Sequence, residues 1–175
     1  ALYIVIWNRA ILRQTIAVIV LVSTALSALS VFQWLTRSYD QNYFGFAQVS
    51  NALVGDAAGN QQPRIAGSIG EKNRYAQVLA VCIPLSLSLG WNTTGKRAKR
   101  LWGACTLLIL TATALTYSRG AAVSMVAILL VTLWMRRARI RQILAGVAAI
   151  VLLILAVPGY GDRLASLETI GGATA

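Results

Sequence analysis

The sequence predicts an all-α integral membrane protein, a polytopic helical bundle of about five transmembrane helices that forms a single membrane domain over residues 1–175. Composition points there first, since 57% of the residues are hydrophobic and 12% are charged, far to the apolar side of ordinary globular usage. The apolar residues also fall into blocks of roughly 15 to 22, close to the about 20 helical residues needed to cross a hydrocarbon core of about 30 Å. Third, Trp34, Trp91, Trp102, Trp134, Tyr75, Tyr117 and Tyr160 all sit at block ends, where amphipathic rings meet a membrane interface.

The first span is 15–35, which contains no charge. The second, 75–91, carries Pro84, which a membrane helix tolerates with a kink. Residues 101–117 and 121–135 are separated only by Ser118, Arg119 and Gly120. One continuous helix there would run to roughly 52 Å with an arginine at its middle, so a hairpin turning at Gly120 is expected. The fifth span, 143–157, ends at Pro158-Gly159, a helix stop. An opening stub, residues 1–7, is too short to span and reads as the tail of an earlier helix. A signal peptide competes with that reading, but the charges follow the first apolar run and 15–35 exceeds a usual signal core. Truncation at both ends is the expectation.

Five spans place Arg9, Arg13, Lys96, Arg97, Lys99, Arg100, Arg136, Arg137, Arg139 and Arg141 on one side with no acid among them, which makes that side cytoplasmic. The other side receives Arg37, Arg64, Lys72, Arg74, Arg119 and Arg163 together with the five acids Asp40, Asp56, Glu71, Asp162 and Glu168. The net charge of +11 is then an orientation signal reinforced by anionic headgroups, and no nucleic acid is invoked as a partner. The chain contains no histidine, so imidazole-based metal ligation or acid–base chemistry is excluded within it. Cys82 and Cys105 lie inside spans and read as small packing residues. The sequon Asn92-Thr93-Thr94 falls on the cytoplasmic side and reads as chance. No Walker, Rossmann or metalloprotease pattern occurs, and neither a cofactor nor a metal is expected.

The longest polar stretch is the outer loop 36–74, long enough to be functional or disordered. Arginine at an outer rim offers a fork of donors suited to phosphate or carboxylate. Arg64, Arg74, Arg119 and Arg163 would suit a diphosphate; the same residues could instead snorkel to lipid phosphates or pair with Glu71 and Asp162. Arg119 stands out, because a tight hairpin needs a glycine but not an arginine.

The run Arg64-x-x-Gly67, then Asn73-x-x-Ala76 and Pro84, then Leu115-Thr116-Tyr117-Ser118-Arg119-Gly120 opening another apolar helix, resembles the O-antigen ligase and O-antigen polymerase family of bacterial surface-polysaccharide assembly. Gly161-Asp162-Arg163-Leu164 falls where that family places it, and the likeness covers residues 64 to about 165. One departure is Lys72, where the family commonly has proline. The resemblance implies a GT-C-like membrane glycosyltransferase of the bacterial cytoplasmic (inner) membrane, acting at its outer face on undecaprenyl-diphosphate-linked glycan without a metal. It implies that Arg119 and Arg163 bind the donor diphosphate as charge develops on the leaving group, with Asn73 near the same level. The family's base is a histidine on a large outer loop, which these residues do not include.

A second reading is a non-catalytic transmembrane subunit of a larger assembly, with Ser23, Ser27, Ala112, Thr113 and Ala114 serving close helix contacts. A transporter of the same lipid-linked glycans is a third. It is disfavoured because no acid falls within any span, leaving no carboxylate for a proton relay.

Overall fold

The computed structural model describes residues 8–55, 61–135 and 148. Its elements in chain order are helix α1 (Arg9–Thr36), a short 3₁₀ turn at Tyr43–Gly45, strands β1 (Gln48–Gly55) and β2 (Gln61–Gly67), and helices α2 (Lys72–Trp91), α3 (Lys96–Leu115) and α4 (Arg119–Met135).

Each helix begins or ends on recognisable local chemistry. The Asn8 side chain accepts from the Ala10 amide at 3.0 Å to open α1, and Arg37 in the left-handed region closes it. Glu71 opens α2 and Gly95 opens α3, positions whose extended backbone suits an N-cap. Helix α2 runs through Pro84 as one element.

Helix α2 is central and packs against α1, α3, α4 and β2. The shared core includes Ile65 from β2, Tyr75, Leu79 and Ile83 from α2, Ile109 and Leu115 from α3, and Met125 from α4. Contacts along the helices fix their sense. Ser30 of α1 meets Tyr75, Ser23 meets Cys82, and Arg13 donates to Thr93, so α1 runs antiparallel to α2. Gly90 lies against Trp102 and Ser86, a turn earlier, meets Thr106, a turn later, so α3 runs antiparallel to α2 in turn. The bundle therefore has two distinct ends. One carries Arg9, Arg13, Lys96, Arg97, Lys99 and Arg100; the other carries the β-hairpin, the start of α2 and the α3–α4 turn.

Helix α1 is built inside out. Its buried residues are Val20, Ser23, Ser27, Ser30 and Gln33, a helical stripe that is mostly polar. Val18, Ile19, Leu21, Val22 and Leu35 are exposed instead. A water-soluble helix buries its apolar stripe, whereas helices that meet in an apolar phase put small and polar residues between them. Only 22% of the most apolar stretch of α1 is buried.

The five-span all-α expectation is corrected on two counts. Helices do occupy 15–35, 75–91, 121–135 and most of 101–117, but among the described residues α1 is the one helix long and apolar enough to cross a membrane. The physical reason is that charges assigned to loops lie within the helices. Helix α2 opens on Lys72, Asn73 and Arg74, and α3 opens on Lys96, Arg97, Lys99 and Arg100. Helix α4 has 17 residues, about 26 Å at the helical rise, and its apolar part is Gly120–Thr132. Secondly, the outer loop contains a two-stranded antiparallel sheet, with Gln48 opposite Gly67, Val49 opposite Ile65 and Ser50 opposite Arg64, interrupted by register shifts. The opening stub, the fifth span 143–157 apart from residue 148, and the basic segment from Arg136 to Arg141 lie outside the described residues.

Gln33 ties the loop to this frame. Its Nε2 donates to the carbonyls of Gln41 and Ala47, both at 3.0 Å, and the residue is fully buried. Replacing Gln33 with Ala should cost about 2–4 kcal/mol, two hydrogen bonds plus the cavity left behind. Thermal unfolding in detergent measures the loss, and limited proteolysis between residues 38 and 47 should accelerate with it.

Candidate functional site

The hairpin end gathers most of the residues singled out in the sequence. Its foundation is Tyr75, in the first turn of α2 and 1% exposed, whose hydroxyl lies 3.0 Å from Ser30 Oγ. Gly67, the last residue of β2, has φ +57°, and a Cβ added there would come within 2.3 Å of the Tyr75 ring. Close approach and backbone conformation both require glycine at this position. The Arg64-x-x-Gly67 spacing thus has a structural meaning: Gly67 seats the strand on Tyr75, and Arg64 stands three residues back on the same strand, its side chain half-buried.

Asn73 and Arg74 occupy the first turn of α2 with exposed side chains. Their backbone amides donate to Glu71, at 3.0 Å to Oε1 from Asn73 and 2.7 Å to Oε2 from Arg74. These bonds, and after them the charges of Arg74 and Lys72, hold the Glu71 carboxyl below the usual carboxylate range. Glu71 therefore caps the helix with both oxygens, and the nearby charges of Arg74 and Lys72 add to that hold.

The α3–α4 turn differs from the expected glycine hairpin. Gly120 is the second residue of α4, with open space where its Cβ would be. The residue with positive φ is Tyr117, at φ 52°, while Thr116 Oγ1 donates to the Thr113 carbonyl at 2.7 Å. Ser118 then starts α4, its Oγ accepting from the Ala121 amide and its carbonyl from the Ala122 amide. A left-handed conformation costs a non-glycine residue about 1–2 kcal/mol, and Tyr117 holds it while 2% exposed within the core. Burial of the ring offsets the backbone cost and fixes where α4 begins. Arg119 is the first residue of that helix.

Because α2 and α4 both begin beside the hairpin, Arg64, Asn73, Arg74 and the backbone position of Arg119 all lie at this one end of the bundle. Arg163 and its Gly161–Leu164 run lie outside the described residues. Among the described residues, the Asn73 and Arg74 amides are occupied by Glu71 and the Ala121 amide by Ser118, while the Asn73 and Arg74 side chains are exposed beside them.

Tyr75 and Tyr117 were read in the sequence as interface aromatics; both are core residues. Their roles escaped because a tyrosine at a span end is equally compatible with a belt and with a buried ring whose hydroxyl finds a partner. Ser30 and Gln33 were missed as well, although their spacing with Ser23 and Ser27 carries the signal. No family model, curated protein or solved structure matches the chain.

Two outcomes check this geometry. Gly67→Ala should destabilise the fold by more than about 2 kcal/mol, since strain and overpacking act together, and Tyr75→Phe should not rescue it because the clash is with the ring. In a pH titration, the Asn73 and Arg74 amide resonances should follow the Glu71 carboxyl. The depressed carboxyl means the cap is complete above the ordinary glutamate range and is lost as pH falls below it. Their midpoint should lie lower than that of an unperturbed glutamate, and the shift should vanish in Glu71→Ala.

Proposed function

We propose that this chain is the donor-binding part of a membrane glycosyltransferase of the O-antigen ligase and polymerase type. Anchored by α1 in the bacterial cytoplasmic membrane, it engages an undecaprenyl-diphosphate-linked glycan at the outer face. The observation that carries the reading is the meeting of Arg64, Arg74, Asn73 and the start of α4 at Arg119 on one end of the bundle, opposite the end that holds Arg9, Arg13 and the basic start of α3. The inside-out pattern of α1 supports residence in lipid. Its buried contacts with Tyr75 and Cys82 argue for a permanent part of the protein over a removable leader.

In this reading the guanidinium groups bind the diphosphate and stabilise it as it departs, where negative charge accumulates in the transition state. The chain holds no histidine, and the role its arginines carry in this reading is donor binding and leaving-group stabilisation. A non-catalytic membrane subunit is the competing reading, favoured by the close α1–α2 packing through Ser23, Ser27 and Cys82, and it predicts no affinity for the donor.

Binding of undecaprenyl diphosphate and of undecaprenol to the detergent-solubilised chain separates the two. The diphosphate should bind and the alcohol should not, and Arg119→Ala should raise Kd by about 10- to 100-fold, the loss of one charge-assisted contact. Arg74→Ala should act in the same direction. Equal affinity for both lipids, or an Arg119→Ala variant that binds like the parent, would remove the donor-binding role.

A further inference from the structure

At the opposite end of the bundle, α2 and α3 leave a cleft of about 220 Å³ between them. Two glycines open it. Gly103 would meet nothing within 4 Å of an added Cβ, and Gly90 faces the Trp102 Cβ at 3.4 Å. Trp91 and Trp102 form its walls and Lys99 stands at its edge. The floor is Ser86 and Thr106, whose hydroxyls lie 2.8 Å apart and are both within reach of the Trp102 carbonyl, at 3.2 and 2.9 Å. Those hydroxyls already serve each other and the backbone, so the lining offers an occupant more carbon and ring face than polar surface.

The mouth is different. Lys99 belongs to the opening run Lys96, Arg97, Lys99 and Arg100 of α3, a helix with no acidic residue, and all four side chains are exposed. An apolar slot walled by tryptophans with a cationic mouth matches an amphiphile with an anionic head. The volume is below the about 300–1,000 Å³ typical of small-molecule sites, which suits a headgroup and the first carbons of one chain.

We propose that this cleft binds an anionic phospholipid, with its phosphate on Lys99 and its first acyl carbons between Trp91 and Trp102. The site rests on the reading of the chain as resident in a membrane. It is separate from the donor end, since it lies at the far ends of α2 and α3.

Tryptophan quenching by brominated lipids tests it on the chain reconstituted into phosphatidylcholine vesicles. Brominated phosphatidylglycerol should quench more strongly than an equal fraction of brominated phosphatidylcholine, and a variant carrying Trp91→Phe and Trp102→Phe should lose that difference. Lys99→Gln, an exposed substitution that leaves the core untouched, should lower the preference about fivefold, the effect of one basic side chain near an anionic surface. Gly103→Leu, which extends into open space, should fill the slot and abolish the extra quenching. Equal quenching by the two lipids in a reconstituted chain overturns the site alone, as does a preference that survives both Lys99→Gln and Gly103→Leu. A chain that stays in the aqueous phase overturns the membrane reading and the lipid site together.

Discussion

The ring of Tyr75 is the point through which the hairpin, α1 and α2 are held to one another. It fills the space that Gly67 leaves open, its hydroxyl meets Ser30 within the helix interface, and its helix turn carries Asn73 and Arg74 outward. A buried hydroxyl without a partner would cost about 1–3 kcal/mol, so Ser30 must face α2, and with it the stripe that includes Ser23, Ser27 and Gln33. Gln33 in turn fixes the loop at Gln41 and Ala47. One aromatic side chain thus sets the rotation of α1, the seat of β2 and the height at which Arg74 emerges.

The α3–α4 turn obeys a comparable logic. Tyr117 accepts an unfavourable backbone conformation because its ring is enclosed by the core, and Ser118 can then cap the next helix. The start of α4 at Arg119 is thereby specified by packing, where a glycine turn would have left the direction of the helix to its other contacts. The two helix starts at this end are both capped by side chains, and beside the Glu71 cap the Asn73 and Arg74 side chains stay exposed.

Helix positions were legible in the sequence because apolar blocks of this length have few alternatives. Their role was less so. Hydrophobic content alone counts a helix whose first turns bear Lys72 and Arg74, or Lys96 to Arg100, as a span, since the boundary between helix and loop is drawn where charge begins. The β-hairpin was illegible: Gln, Asn, Ser, Pro and Gly make up about half of its strands, and the alternation that marks a half-buried strand is absent. The outer-rim arginines were legible as a charge pattern, whereas Tyr75, Tyr117 and Gly67 depend on contacts between segments far apart in the chain. The positive φ at Tyr117 runs against the usual preference for glycine, and no local pattern signals it.

The mostly polar stripe of α1 bears on the order in which the chain assembles. Alone in an apolar phase, the helix would present Gln33 and three serines to hydrocarbon, an unfavourable exposure. Its partners, Tyr75 and Cys82, arrive some forty to sixty residues later, after the hairpin segment has been made. In the proposed membrane setting Ser23 and Ser30 would wait without these partners until α2 appears, whereas Gln33 finds the Gln41 and Ala47 carbonyls in the segment that follows its own helix. In that setting, docking of α1 on α2, more than insertion, would be the step that commits the fold, with the hairpin between them already on its final side.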